Sequence, residues 1–282
     1  MFKYICFLVF MFLNFIIKAQ DYNPLFKKYS DSLRYCKDEQ KRLIYNDSFI
    51  ALLKSEVNDE NAFQVNFDSI KNTVSVLYSQ DQKLKIISWV YVNDKEEYTN
   101  NCLVLYRKKI NSESQVIWLK NKSQQAKSFL YDDLMSDEWV GALYYQMFHF
   151  KKKKKDYYVV LGLDGMSSFM NKKVIDVLWF DKDGELHLGA PLFHESDADF
   201  TPQYRVVYEF ADASTMLLRF EVETKEKIIT FSNLVPSNQG AMGLRQYYIP
   251  DGRIDYYQLN KKKKWIKHQG SDEFMNKVIE EK

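Results

Sequence analysis

At 282 residues, 46% of them hydrophobic and 16% aromatic, the chain is long enough to bury a substantial core in one large domain or two small ones. The 20 Tyr and 20 Phe against 9 Gly and 5 Pro favour strands and exclude a disordered or low-complexity chain. The formal charge of +2 falls to 0 once Lys3 and Lys18 leave with the first 20 residues, which argues against a nucleic-acid binder held by phosphate contacts.

Those first residues carry Lys3, an apolar run from Tyr4 to Ile17 broken by Asn14, and then Lys18-Ala19-Gln20. A basic start, an apolar middle too short to span a bilayer comfortably and a small residue at the cut are the layout of a secretory signal. Residues 1–19 are therefore expected to be a signal peptide, with Gln20 or Asp21 as the mature start and an exported, periplasmic or secreted product. Cys6 lies too early in the apolar run to be a lipoprotein cysteine. No later segment reaches about 18 consecutive apolar residues, so no transmembrane segment is expected in the mature chain. Cys36 and Cys102 then remain, either as one disulfide or as two buried thiols.

Residues 20–60 read as a helical segment. Leu33, Cys36, Gln40, Leu43 and Ile44 share one face, and Ile50, Leu53 and Val57 repeat at helical spacing. Ser30 or Asp31 is a candidate cap for the first helix, and Asn46-Asp47-Ser48 a break with a new cap. Past the polar turn Asn58-Asp59-Glu60-Asn61 the period becomes two, and residues 61–270 form a β-rich region. Val74, Val76 and Tyr78 alternate, Ser79-Gln80-Asp81-Gln82 turns the chain, and residues 84–92 are apolar on both faces apart from Lys85 and Ser88. A strand apolar on both faces is covered on both, and the N-terminal helices are the obvious cover for one. Residues 93–101 read as a polar connection, 102–106 and 116–119 as strands, and 124–137 as a short helix or a loop.

Residues 140–193 look like the centre of an antiparallel sheet. The five lysines 151–155 lie between two aromatic runs, where a hairpin needs a solvated connection, although a helix ending in cations would also gain from its macrodipole. Residues 157–163 and 174–180 are strands, and Asp181-Lys182-Asp183-Gly184 a turn. Residues 205–210, 215–221 and 227–231 then read as a meander of short strands joined by hairpin-length connections. Residues 234–243 read as a polar loop. Residues 244–248 and 253–259 flank a turn at Ile249-Pro250-Asp251-Gly252, and Trp265-Ile266-Lys267 follows Lys261–Lys264. Residues 271–282 are a charged tail. The expected fold is α+β: mainly antiparallel sheet, a meander of hairpins, with an N-terminal helical cap.

Residues 73–267 resemble a family of exported proteins from Bacteroidetes-type bacteria to which no activity is attached. The resemblance rests on Leu161-Gly162-Leu163-Asp164-Gly165, on Asn171-Lys172-Lys173-Val174-Ile175-Asp176-Val177-Leu178, on Phe210-Ala211-Asp212-Ala213, and on Leu234-Val235-Pro236-Ser237 ahead of Pro250-Asp251-Gly252. It implies export and a shared β-rich fold, and no chemistry.

The most site-like cluster is His187 with His194, Glu195, Asp197 and Asp199, residue types that hold zinc or another divalent ion. The zinc-protease spacing wants a second His where Ala198 stands, which favours a solvated acidic loop, and His187 alternates with Leu186 and Leu188 as a solvent-facing strand residue. Asp181–Glu185 lacks the calcium-loop Gly and Glu, since Leu186 and Leu192 occupy those positions. Gly165-Met166-Ser167-Ser168-Phe169 has Phe in place of the second Gly of a nucleophile elbow. Asp164 and Asp176 are a conceivable carboxylate pair; Asp176, set among Val174, Ile175, Val177 and Leu178, is the one acidic residue to check for burial and a partner. The lysine runs beside Tyr145, Phe148, Phe150, Tyr157, Tyr158, Tyr256, Tyr257 and Trp265 suit an anionic polymer, or simply charged hairpin tips that blunt sheet edges. The leading expectation is a non-enzymatic envelope protein that binds a partner protein or polysaccharide, without a cofactor. A metal-dependent or other hydrolase using the His187 and His194–Asp199 region is the alternative.

Overall fold

The computed structural model describes residues 23–122, 129–165, 169–221 and 226–271. The segment expected to be a signal peptide, Ser167 and the charged tail after residue 271 lie outside them, as does part of the ambiguous stretch 124–137. The chain is α+β, with two N-terminal helices followed by mostly antiparallel sheet. No helix among the described residues is long and apolar enough to cross a membrane.

The helices are α1 (Asn23–Tyr35) and α2 (Glu39–Glu56). They break at Cys36–Asp38 and not at Asn46-Asp47-Ser48, because Asp38 caps α2 by accepting from the Lys41 amide at 3.0 Å. Asn46 is instead turned inward, and its Oδ1 accepts from Trp89 Nε1 at 2.9 Å. Neither expected cap of α1 sits at its start: Ser30 is buried mid-helix and donates to the Lys27 carbonyl, and Asp31 pairs with Lys27 at 2.6 Å. The buried face of α2 is Asn46, Phe49 and Leu53, which leaves Leu43 and Ile44 exposed.

Among the described residues the strands form three sheets where one was expected. The first runs in the order β1 (Ser75–Tyr78), β2 (Leu84–Val92), β3 (Tyr98–Arg107), β4 (Ser114–Leu119). β3 starts inside the supposed polar connection, and Asn100 is buried there. The second sheet has the order β5 (Leu134–Met135), β9 (Leu186–Leu188), β8 (Met170–Phe180), β7 (Lys155–Asp164), β6 (Leu143–Lys152). In it, β11 (Val206–Ala211) pairs with the first half of β8. The third sheet runs β10 (Phe193–His194), β15 (Trp265–His268), β14 (Tyr248–Leu259), β13 (Ile228–Pro236), β12 (Leu218–Glu221). β10 and β15, which are not successive strands, pair in parallel within an otherwise antiparallel sheet.

The meander is therefore interrupted. β11 belongs to the second sheet and β12 to the third, so the link between them crosses layers. β13 continues to Pro236 through the expected loop, and Arg245–Tyr247 is a 3-10 turn where a strand was expected. The Pro250-Asp251-Gly252 step is not a turn: it lies within β14, where residues 251–253 bulge opposite Asn233 between the pairs Ser232–Ile254 and Leu234–Pro250. Gly252 takes φ +94, and Asp251 accepts from Asn233 Nδ2 at 2.9 Å, so turn-favouring residues serve a bulge.

Three cores stack between four layers. Phe26, Phe49 and Leu53 pack on Ile87, Trp89, Leu103 and Leu105 of the first sheet. The opposite face of that sheet, with Ile86, Cys102 and Val104, meets Tyr158, Val160, Val174 and Leu178 of the second. Val159, Leu161, Ile175 and Val177 then face Ile229, Phe231, Tyr257 and Trp265 of the third. Alternation along β7 and β8 thus sends neighbouring apolar residues into two different cores. Among the described residues, Cys36 and Cys102 are free thiols: Cys36 lies in the helix connection, and Cys102 is buried between the first and second sheets. The disulfide alternative is thereby corrected, since one thiol sits in the helical layer and the other beyond the first sheet.

Candidate functional site

The turn from β6 to β7 is made by Lys153 and Lys154, which pairs Lys151 with Asp156 and His149 with Tyr158. Residues directly opposite one another share a face, so His149, Lys151, Asp156 and Tyr158 all project toward the first sheet. The β1–β2 turn of that sheet brings Asp81 to meet them. Among the described residues, Asp81, His149 and Asp156 are the one group of three His, Cys, Asp or Glu whose ligand atoms lie within 4.8 Å of one another.

His149 Nε2 stands 2.7 Å from Asp156 Oδ1 and 3.4 Å from Asp81 Oδ2. Tyr158 donates its hydroxyl to Asp81 Oδ2 at 3.0 Å, Ser79 donates to Asp81 Oδ1 at 2.7 Å, and the His149 ring stacks on Tyr158 at 4.9 Å. Lys83 Nζ lies 3.2 Å from Asp156 Oδ2 and 3.8 Å from Asp81 Oδ2. Burial works to raise the Asp156 carboxyl, but His149 and Lys83 outweigh it and hold it below the usual range. Burial and the Asp81 carboxylate push the Tyr158 hydroxyl far up, so it stays a donor. The group joins two sheets and is chemically able to hold a cation through one imidazole and two carboxylates.

The five residues singled out from sequence do not assemble into such a group. His187, on β9, alternates with the buried Leu186 and Leu188 and is partly exposed; its ring stacks on Trp179 at 3.8 Å and its Nδ1 lies 3.0 Å from Asp133 Oδ2. His194, on β10, is buried with its Nδ1 3.3 Å from the Asp199 carbonyl, and burial lowers its pKa. Glu195 pairs with Lys267 at 2.9 Å and Asp197 accepts from Asn260 at 3.2 Å. Asp199 accepts from the Glu195 and Thr201 amides, which closes its own loop.

The remaining candidates have separate partners. Asp164 is held by Lys172 at 2.9 Å and Asn100 at 2.6 Å. Asp176 is fully buried with Arg205 Nε at 3.2 Å, and Arg205 also donates to the carbonyls of Phe129, Asp132 and Leu188. The buried partner of Asp176 is thus Arg205, and the two carboxylates each have their own cation. Asp181 accepts from the Asp183 and Glu185 amides as a turn residue. Of the lysine block, Lys151 lies near Asp156, whereas Lys155 sits over the Trp179 ring at 3.2 Å.

Sequence reasoning missed the Asp81–His149–Asp156 group. Placing the turn at Lys153-Lys154 is enough to put His149 and Asp156 on one face, but nothing local announces Asp81. The surface also carries exposed Met242, Leu244 and Tyr247 within six residues, at the end of the β13–β14 hairpin. No family model, curated protein or solved structure matches the chain.

Proposed function

We propose that this is an exported, non-enzymatic protein of the cell envelope, periplasmic or secreted, that binds a partner protein or a polysaccharide. The observation that carries the reading is the tip of the β13–β14 hairpin, where Met242 is 75% exposed, Tyr247 51% and Leu244 45%. Three large apolar side chains held in water within six residues mark a contact surface. Arg245 lies over the Tyr248 ring at 4.5 Å, which adds a cation and an aromatic face suited to a polar or sugar-bearing partner. The signal-like first 20 residues and the resemblance to exported proteins support the envelope location. The contacts of Glu195, Asp197 and Asp199 within the protein support binding over hydrolysis in that loop.

The test is a titration of the mature chain, labelled with a photoreactive group at position 244, against envelope fractions and purified envelope polysaccharide. A saturable cross-linked product is expected, with its apparent affinity at least about tenfold weaker in Met242→Asp/Tyr247→Asp, about 1.4 kcal/mol. Cross-linking that does not saturate, or that the double substitution leaves unchanged, rejects the proposal.

A further inference from the structure

We propose that Asp81, His149 and Asp156 bind one divalent transition-metal ion of the zinc class. The donor atoms are Asp81 Oδ2, His149 Nε2 and Asp156 Oδ1, drawn from the β1–β2 turn, β6 and β7. An imidazole with two carboxylates selects zinc and its neighbours over magnesium and calcium, which prefer all-oxygen sites. Ligands about 2.0–2.1 Å from a tetrahedral ion stand about 3.3 Å apart. The His149–Asp81 separation of 3.4 Å already has this value, and the His149–Asp156 separation of 2.7 Å widens slightly on binding.

The surrounding contacts aim these atoms. Tyr158 and Ser79 hold the two oxygens of Asp81, and the Tyr158 ring orients the imidazole. Lys83 Nζ lies 3.2 Å from the other oxygen of Asp156, Oδ2. The Tyr158 and Ser79 contacts hold Asp81 in place before the ion arrives. The three side chains are 11–20% exposed, so the ion has a route in and a fourth position open to water. Lys83 also opposes the ion by charge, as does the more exposed Lys151, 3.6 Å from Asp156. A metal site and a plain ion-pair clasp therefore respond in opposite senses when Lys83 is neutralised.

Zn2+ alone is titrated into the mature chain by calorimetry, and Co2+ by its visible absorption, in wild type, His149→Gln, Asp81→Asn, Asp156→Asn and Lys83→Met. His187→Gln and His268→Gln serve as controls, with folding checked by circular dichroism. One ion per chain and a Co2+ band of a four-coordinate site are expected. Binding should weaken at least about tenfold in each ligand variant that folds, tighten in Lys83→Met, and stay unchanged in both controls. No binding, or binding removed by either control and not by His149→Gln or Asp81→Asn, overturns the proposal. So does a Lys83→Met chain that folds and binds Zn2+ no more tightly than wild type. None of these readouts involves the envelope partner, so either idea can fail alone.

Discussion

Lys85 carries its ammonium into the core beneath the helices, where Phe67, Tyr78 and Phe63 surround it at 5.1, 5.2 and 5.3 Å. The carbonyls of Ala62 and Val65 accept from it at 3.1 and 3.3 Å. Burial, with Arg107 and Lys71 nearby, lowers its pKa from 10.5 to about 8. Between pH 8 and 10.5 the unfolded chain keeps a proton that the folded chain has released, so stability rises with pH across that window. The rise amounts to about 3 kcal/mol, and below pH 8 the whole cost of the buried charge is present. Urea midpoints of wild type should therefore climb relative to Lys85→Met from pH 8 to 10.5, and parallel curves would refute this. In sequence, Lys85 is only an exception in an apolar strand. Its cage comes from Tyr78 of β1 and from the 58–74 turns, which local pattern does not place against β2.

Among the elements, the β6–β7 hairpin is the one most fully written in its residues. Five consecutive lysines cannot be buried, and two of them, Lys153 and Lys154, take φ +50 and +67, as a two-residue hairpin turn requires. Lysine is a poor occupant of that conformation. Lys153→Asn/Lys154→Gly is expected to stabilise the fold by about 1 kcal/mol, raising the melting temperature by ~2–4 °C in a scanning calorimeter. An unchanged or lower melting temperature would mean that the turn is not strained. The same chemistry misleads at Pro250-Asp251-Gly252, because a bulge uses the φ freedom of Gly252 as a turn does. Which occurs depends on whether Tyr248–Pro250 finds a partner strand, and Leu234–Pro236 supplies it.

Across the described residues, the second sheet has another sheet packed on each of its faces, and β7 and β8 are its centre. Their amides at Val159–Leu161 and Ile175–Val177 should exchange with deuterium only through global unfolding, while those of α1 exchange through local opening. Helix amides as slow as these would show that the cap unfolds with the sheets. The buried Asp176–Arg205 pair ties this sheet together, linking β8 to the segment after residue 129 and to β9. The helical cap, the strand-rich character and the central place of residues 140–193 were legible from period and turn chemistry, and the cost of burying a charge marked Asp176 as the acidic residue to check. The number of sheets was not. Val174 and Ile175 are equally apolar, and alternation shows that both are buried without saying that one faces the first sheet and the other the third. For the same reason β11 and β12 read as hairpin partners, although the chain between them changes layers. Asp81 meets His149 and Asp156 only because the first sheet docks on the second, a contact between segments some 70 residues apart that no local pattern encodes. Local residue chemistry determines the helical cap, the strand-rich character and the β6–β7 turn, whereas the pairing of apolar faces, being non-directional, is decided only when the layers close on one another.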